Sequence, residues 1–149
     1  MKIAIGNDHA AAGLKEEVKN LLESRGIEYK DFCLDKGDKI DYPIIAENVC
    51  VQVASGEYEK GILLCGTGVG MAMAANKIKD IRACVCSDVF SAKATVMHND
   101  CNVLCVGERV VGTGLMKEIV NAWLDAEFEG GRHTARVDMI KALEEKNFK

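Results

Sequence analysis

The chain has 149 residues, 48% of them apolar, 28% charged and 5% aromatic, with a formal net charge of −4. That length suits one domain with its own core, so residues 1–149 are expected to form a single unit. The acidic balance and scarcity of aromatic rings disfavour a nucleic-acid backbone binder or a base-stacking platform.

Strand and helix signals alternate from the N-terminus. Ile3–Gly6 is a short β-rich run. Gly13–Arg25 sets Leu14, Val18, Leu21 and Leu22 on one helical face, and Gly26 is a stop signal. Glu28–Phe32 predicts a second strand. Asp41–Ala54 predicts a helix, with Pro43 tolerated in its first turn. Gly61–Cys65 is wholly apolar, as a strand covered on both faces of a parallel sheet must be. Val69–Ile78 reads as a helix, Arg82–Cys86 as a strand, Val89–Met97 as a helix and Asn102–Gly107 as the fifth strand. Thr113–Phe128 is a long amphipathic helix. After the Gly130-Gly131 break, Thr134–Lys146 is the last helix, and its charged end, Lys141–Lys149, reads as a solvated face.

Strands separated by helices make βαβ units. The expected fold class is therefore α/β: a Rossmann-like, doubly wound, five-stranded parallel sheet with helices on both faces. No run approaches the roughly 20 apolar residues of a membrane span. The apolar stretch at 3–6 is too short for a signal peptide, so a cytoplasmic location and no membrane partner are expected. Seven cysteines are present (33, 50, 65, 84, 86, 101 and 105). Their odd number and the missing secretory signal predict reduced thiols. Cys84-Val-Cys86 and Cys101 to Cys105 lack the CxxC spacing of zinc sites and read as small buried hydrophobes.

In a doubly wound sheet, ligands bind beyond the carboxyl ends of the strands. That rule points to Asn7-Asp8-His9, Cys65-Gly66-Thr67-Gly68, Ser87-Asp88 and Gly107-Glu108-Arg109. The run Cys65-Gly66-Thr67-Gly68-Val69-Gly70 follows a buried strand and opens a helix. Glycines there let the backbone approach a ligand, and N–H groups at a helix N-terminus hold an anion. Three readings compete for it. A dinucleotide loop needs a third glycine where Met71 stands and belongs after the first strand. A cysteine phosphatase needs an arginine six residues after the thiol, again Met71. Acid–base chemistry on a sugar phosphate needs a thiolate base, which a helix N-terminus favours, a nearby hydroxyl such as Thr67 and N–H groups for an oxyanion.

His9 follows the first strand, next to Asp8. His98 ends a helix just before the fifth strand and is counted with His9 at the ligand-binding edge. Arg132 and Arg136 stand four apart at a helix start, flank His133 and share a face suited to a phosphate.

With these residues the chain resembles the B-type ribose-5-phosphate isomerases. That family also holds allose-6-phosphate isomerases and the two-subunit galactose-6-phosphate isomerase. The resemblance covers nearly the whole chain through Gly6-Asn7-Asp8-His9, Asp41-Tyr42-Pro43, Cys65 to Gly70, Ala74-Ala75-Asn76-Lys77, His98-Asn99-Asp100, Arg109-Val110-Val111-Gly112 and Glu129-Gly130-Gly131-Arg132-His133.

The resemblance implies an aldose–ketose isomerase working through an enediolate. Cys65 would be the base and Thr67 would assist proton transfer. Backbone N–H groups of Gly66, Gly68, Val69 and Gly70 would form the anion hole. His98, paired with Asp8, would open the sugar ring, Tyr42 and Asn99 would contact the substrate, and His9, Arg109, Arg132 and Arg136 would hold the phosphate. It further implies a homodimer or tetramer with shared sites, a C-terminal helix reaching the partner, and no metal or organic cofactor. Ala11-Ala12 and Cys33 depart from residues common in relatives, at the pocket mouth, where substrate size is decided.

Overall fold

A computed structural model describes residues 1–33 and 40–149. Five strands form one sheet: β1 (Lys2–Asn7), β2 (Glu28–Asp31), β3 (Lys60–Cys65), β4 (Ala83–Val85) and β5 (Val103–Gly107). All neighbours are parallel, in the order β2-β1-β3-β5-β4. Around the sheet lie α1 (Ala12–Ser24), α2 (Tyr42–Ala54), α3 (Val69–Ala75), α4 (Val89–Asn99), α5 (Thr113–Asp125) and α6 (Arg132–Asn147). A single 3-10 turn, His9–Ala11, precedes α1.

The strand order assigns the layers. Steps β1 to β2 and β4 to β5 move one way across the sheet; β2 to β3 and β3 to β4 move the other way. Right-handed crossovers tie direction to face. So α1 and α4 share one face with α5, and α2 and α3 cover the other. Alternate residues follow: Ile3, Ile5, Ile62, Leu64, Leu104 and Val106 pack toward α1, α4 and α5. Ala4, Leu63, Cys65, Val103 and Cys105 pack toward α2 and α3. Being covered twice, β3 and β5 show apolar runs instead of alternation.

The α/β, doubly wound, five-stranded expectation matches this architecture. Helix ends differ where tertiary contacts set them. The predicted helix to Ile78 stops at Ala75, because Asn76 turns its side chain to β4. There Asn76 Nδ2 donates to the Ala83 carbonyl at 2.9 Å and Oδ1 accepts the Ala83 N–H at 2.8 Å. α5 ends at Asp125 rather than Phe128, and α6 begins at Arg132, two residues before Thr134. All seven cysteines are free; Cys86, Cys101 and Cys105 are buried as expected, whereas Cys84 is only half-buried. Along α6, Met139, Ile140 and Leu143 stand exposed, so this segment carries an apolar stripe as well as solvated charge. Among the described residues no helix is long and apolar enough to cross a membrane.

Candidate active site

Parallel strands end together, so the loops after β1, β3 and β5 meet at the carboxyl edge of the sheet. Cys65 ends β3, in register with Gly107 of β5. Its side chain faces α2 and α3, and the residue is 5% exposed. The loop then folds back: the Gly68 N–H donates to Cys65 Sγ at 3.0 Å and the Val69 N–H to Thr67 Oγ1 at 3.2 Å. Gly68 has φ of 83°, and a Cβ there would stand 3.2 Å from the Val106 backbone, so only glycine fits. A Cβ on Gly107 would come within 2.5 Å of Thr67 backbone atoms. β5 thus supports the loop by direct backbone contact.

Three further elements converge on this loop. The Asp8 N–H donates to the Leu64 carbonyl at 3.0 Å, which fixes the end of β1 beside Cys65. The Asp8 carboxylate caps the 3-10 turn through the Ala10 N–H at 2.9 Å, and His9 is exposed on that turn. The Arg109 N–H donates to the Gly66 carbonyl at 3.0 Å, and the guanidinium lies over Gly66, 3.5 Å from where its Cβ would be. Tyr42, the first residue of α2, lays its ring against Gly70, 2.8 Å from a Cβ built there. Of the junctions that the sheet rule singles out, Ser87-Asp88 spends its carboxylate on capping α4, through the Ser91 N–H at 2.7 Å. Reading the residues alone left Glu108 without a role. Its Oε1 accepts the Leu14 N–H at 3.1 Å and ties the β5 end to α1. Its position after a strand was the available signal.

The remaining expected residues lie elsewhere. A helix that returns from the carboxyl edge ends at the amino edge, and α4 does so immediately before β5. His98 is therefore not at the ligand-binding edge of its own chain, nor paired there with Asp8. It is separated from that edge by the five residues of β5, roughly 17 Å at strand rise. His98 stacks on His133 of α6, with ring centroids 4.5 Å apart and planes 19° apart. His133 Nε2 lies 3.5 Å from a Glu129 carboxylate oxygen, and the Glu129 N–H donates to the Met97 carbonyl at 3.0 Å. These three side chains offer ligand atoms within 4.8 Å of one another. Stacked rings hold their in-plane lone pairs side by side rather than converging on a single ion. Arg132 and Arg136 flank His133 and are exposed, as is Asn99. The turn after α4 is pinned by Arg82, whose Nε donates to the Asp100 carbonyl at 2.8 Å and whose Nη2 pairs with the Asp100 carboxylate at 3.1 Å.

One chain thus carries two clusters of candidate residues: a thiol, hydroxyl, carboxylate and arginine at the carboxyl edge, and a histidine pair with two arginines at the amino edge. Comparison with known proteins identifies the family. The model of a family described as Ribose/Galactose Isomerase matches residues 3–140. Ribose-5-phosphate isomerase B of Escherichia coli is 50% identical over 145 residues, covering 97% of each chain. A D-erythrulose-4-phosphate isomerase of Pectobacterium atrosepticum is 43% identical, covering 94% of this chain and 93% of the relative. The solved ribose-5-phosphate isomerase B of Clostridium thermocellum superposes with a TM-score of 0.95 at 47% identity, covering 98% and 99% of the two chains.

Proposed function

The chain belongs to the ribose/galactose isomerase family of sugar phosphate isomerases, and from that premise we propose that it interconverts ribose 5-phosphate and ribulose 5-phosphate. The observation that carries this reading is Cys65, held at the end of β3 with an N–H aimed at its sulfur and Asp8 and Arg109 alongside. As base, Cys65 takes the proton from C2 of the open-chain aldose and returns it to C1. Thr67 passes the hydroxyl proton between O2 and O1 of the enediolate. The N–H groups of Gly68 and Val69 orient the two reacting side chains, which leaves those of Gly66 and Gly70 for the substrate oxygens.

The second cluster enters from a second copy of the chain. His98 of the partner subunit opens the furanose ring against Asp8, with Tyr42 and the partner subunit's Asn99 on the sugar. His9 and Arg109 meet the partner subunit's Arg132 and Arg136 on the phosphate. The exposed stripes Ile44 and Val51 on α2, Val69 and Met73 on α3, and Met139, Ile140 and Leu143 on α6 supply apolar surface for that pairing.

Cys65→Ala should lower turnover of ribose 5-phosphate by at least about 100-fold with folding retained; full turnover would remove Cys65 as base. Substrate choice is tested by comparing kcat/KM for ribose 5-phosphate, erythrulose 4-phosphate and allose 6-phosphate with a chelator present. The Pectobacterium relative favours the four-carbon sugar as the second reading. A preference for either alternative keeps the chemistry and changes the substrate. No turnover of any, restored by a second protein, points to one subunit of a two-chain isomerase.

A further inference from the structure

The isomerase chemistry uses one thiol of seven. Another pair lies on the α4 side of the sheet. Cys84, in the middle of edge strand β4, and Cys101, two residues before β5, stand close enough for each thiol to shift the other's titration. A single residue of α4 holds both cysteines: the Thr95 hydroxyl donates to Cys84 Sγ at 2.7 Å, and the Thr95 carbonyl accepts the Cys101 N–H at 3.1 Å.

The two thiols differ in access and in charge. Cys101 is 2% exposed, and its thiol donates to the Val103 carbonyl at 3.2 Å. Cys84 is half-buried and lines a cavity of about 460 Å³ between β4 and α6, with Arg82, Leu143 and Phe148 on its walls. The neighbouring Cys101, the Thr95 hydroxyl and the charge of Arg82 together pull the Cys84 thiol down to about 6 against burial. The neighbouring Cys84 and burial push Cys101 well above the usual thiol range. Burial pushes Cys50 and Cys86 up to about 12. The result is an approachable thiolate near a protonated, enclosed thiol, the arrangement of an oxidisable cysteine beside its resolving partner.

We propose that Cys84 and Cys101 form a redox modification site, in which a peroxide oxidises Cys84 and Cys101 resolves it into a disulfide. The Cys84 thiolate attacks one peroxide oxygen and the O–O bond breaks. The departing hydroxide takes up a proton as water, and Cys84 becomes a sulfenic acid. Cys101 then loses its proton and attacks the Cys84 sulfur. The S–O bond breaks, and the second oxygen leaves as water. Two thiols and one hydrogen peroxide give one disulfide and two waters, so the pair supplies both electrons.

The test is hydrogen peroxide on the intact protein, followed by blocking of free thiols and tryptic peptide mass spectrometry without reductant. Cleavage at Lys93 separates the two cysteines. The expected product links peptide 83–93 to peptide 94–109 through Cys84 and Cys101, is lighter by two hydrogens and is reversed by dithiothreitol. Trp123, the one tryptophan in the chain, gives a second readout. Its buried indole N–H makes no hydrogen bond among the described residues, and its ring belongs to the same core cluster as Cys101. Its emission should fall on oxidation and recover on reduction. Cys65→Ala should keep both signals, and Cys84→Val should lose both. Cys101→Ser should leave Cys84 as a sulfenic acid that dimedone traps. Three results would each overturn the proposal: Cys84 carried to the sulfinic acid with no link to Cys101, a link through another cysteine, or an emission change that survives Cys84→Val.

Discussion

Gly107 and Gly114 show how position alone decides what one methyl group does. At Gly107 an added Cβ meets the Thr67 backbone at 2.5 Å, and a backbone cannot rotate away as a side chain can. Gly107→Ala should cost about 1–3 kcal/mol of stability and displace the loop that carries Cys65 and Thr67. Thermal melting and turnover should therefore fall together. At Gly114, inside the first turn of α5, a Cβ meets nothing within 4 Å. Gly114→Ala should raise stability by about 0.5–1 kcal/mol through helix propensity and a less free unfolded chain, with turnover unchanged. The Cys65 loop was legible at this scale because its geometry is local: thiol, hydroxyl and glycines are adjacent in the chain. His98 was misplaced because the strand-end rule was applied to a helix that precedes a strand. In a parallel sheet that helix end lies at the opposite edge, which the predicted element order already implied.

Elements are joined here by side chains that the periodicity of either element does not reveal. Asp31 at the end of β2 accepts Lys15 and Lys19 of α1, both at 3.0 Å, and the Cys33 N–H at 2.9 Å. Burial alone would push its carboxyl up; the Cys33 N–H and the two lysines outweigh that and hold it below the usual carboxylate range. A carboxyl with a depressed folded pKa contributes stability above its unfolded value, about 3.9, and loses it as pH falls through the folded value. Asp31→Asn should therefore cost about 1 kcal/mol near neutral pH. The gap to the unaltered chain should narrow in urea melts as pH falls below the unfolded value, about 3.9, and through the lower folded one; a gap that persists in acid would assign the cost to packing instead. Asn76 acts in the same way on α3, whose end the apolar pattern placed three residues late. Its partner Ala83 is in another element, so the stop signal is tertiary. The strands were readable because burial on both faces is written into each one as an unbroken apolar run.

For the whole molecule, the proposed assembly of the site from opposite sheet edges of two copies predicts that activity is a property of the pair. Cys65→Ala and His98→Ala should each be inactive as pure proteins. Refolded together in equal amounts, they should recover about a quarter of the original activity, because half the dimers are mixed and each mixed dimer holds one intact site of two. Recovery of none would place the whole site within a single chain. The strand order has another consequence, for synthesis. β5 is the last strand made, yet it lies between β3 and β4. Until residue 107 has left the ribosome, β3 pairs only with β1, and β4 has no strand beside it. A nascent chain of this length holds one open sheet edge and one orphan strand, and the last strand must slot between them like a keystone. Fragments ending before residue 103 should thus be captured by holding chaperones or aggregate, whereas completion of β5 closes the sheet in one cooperative step.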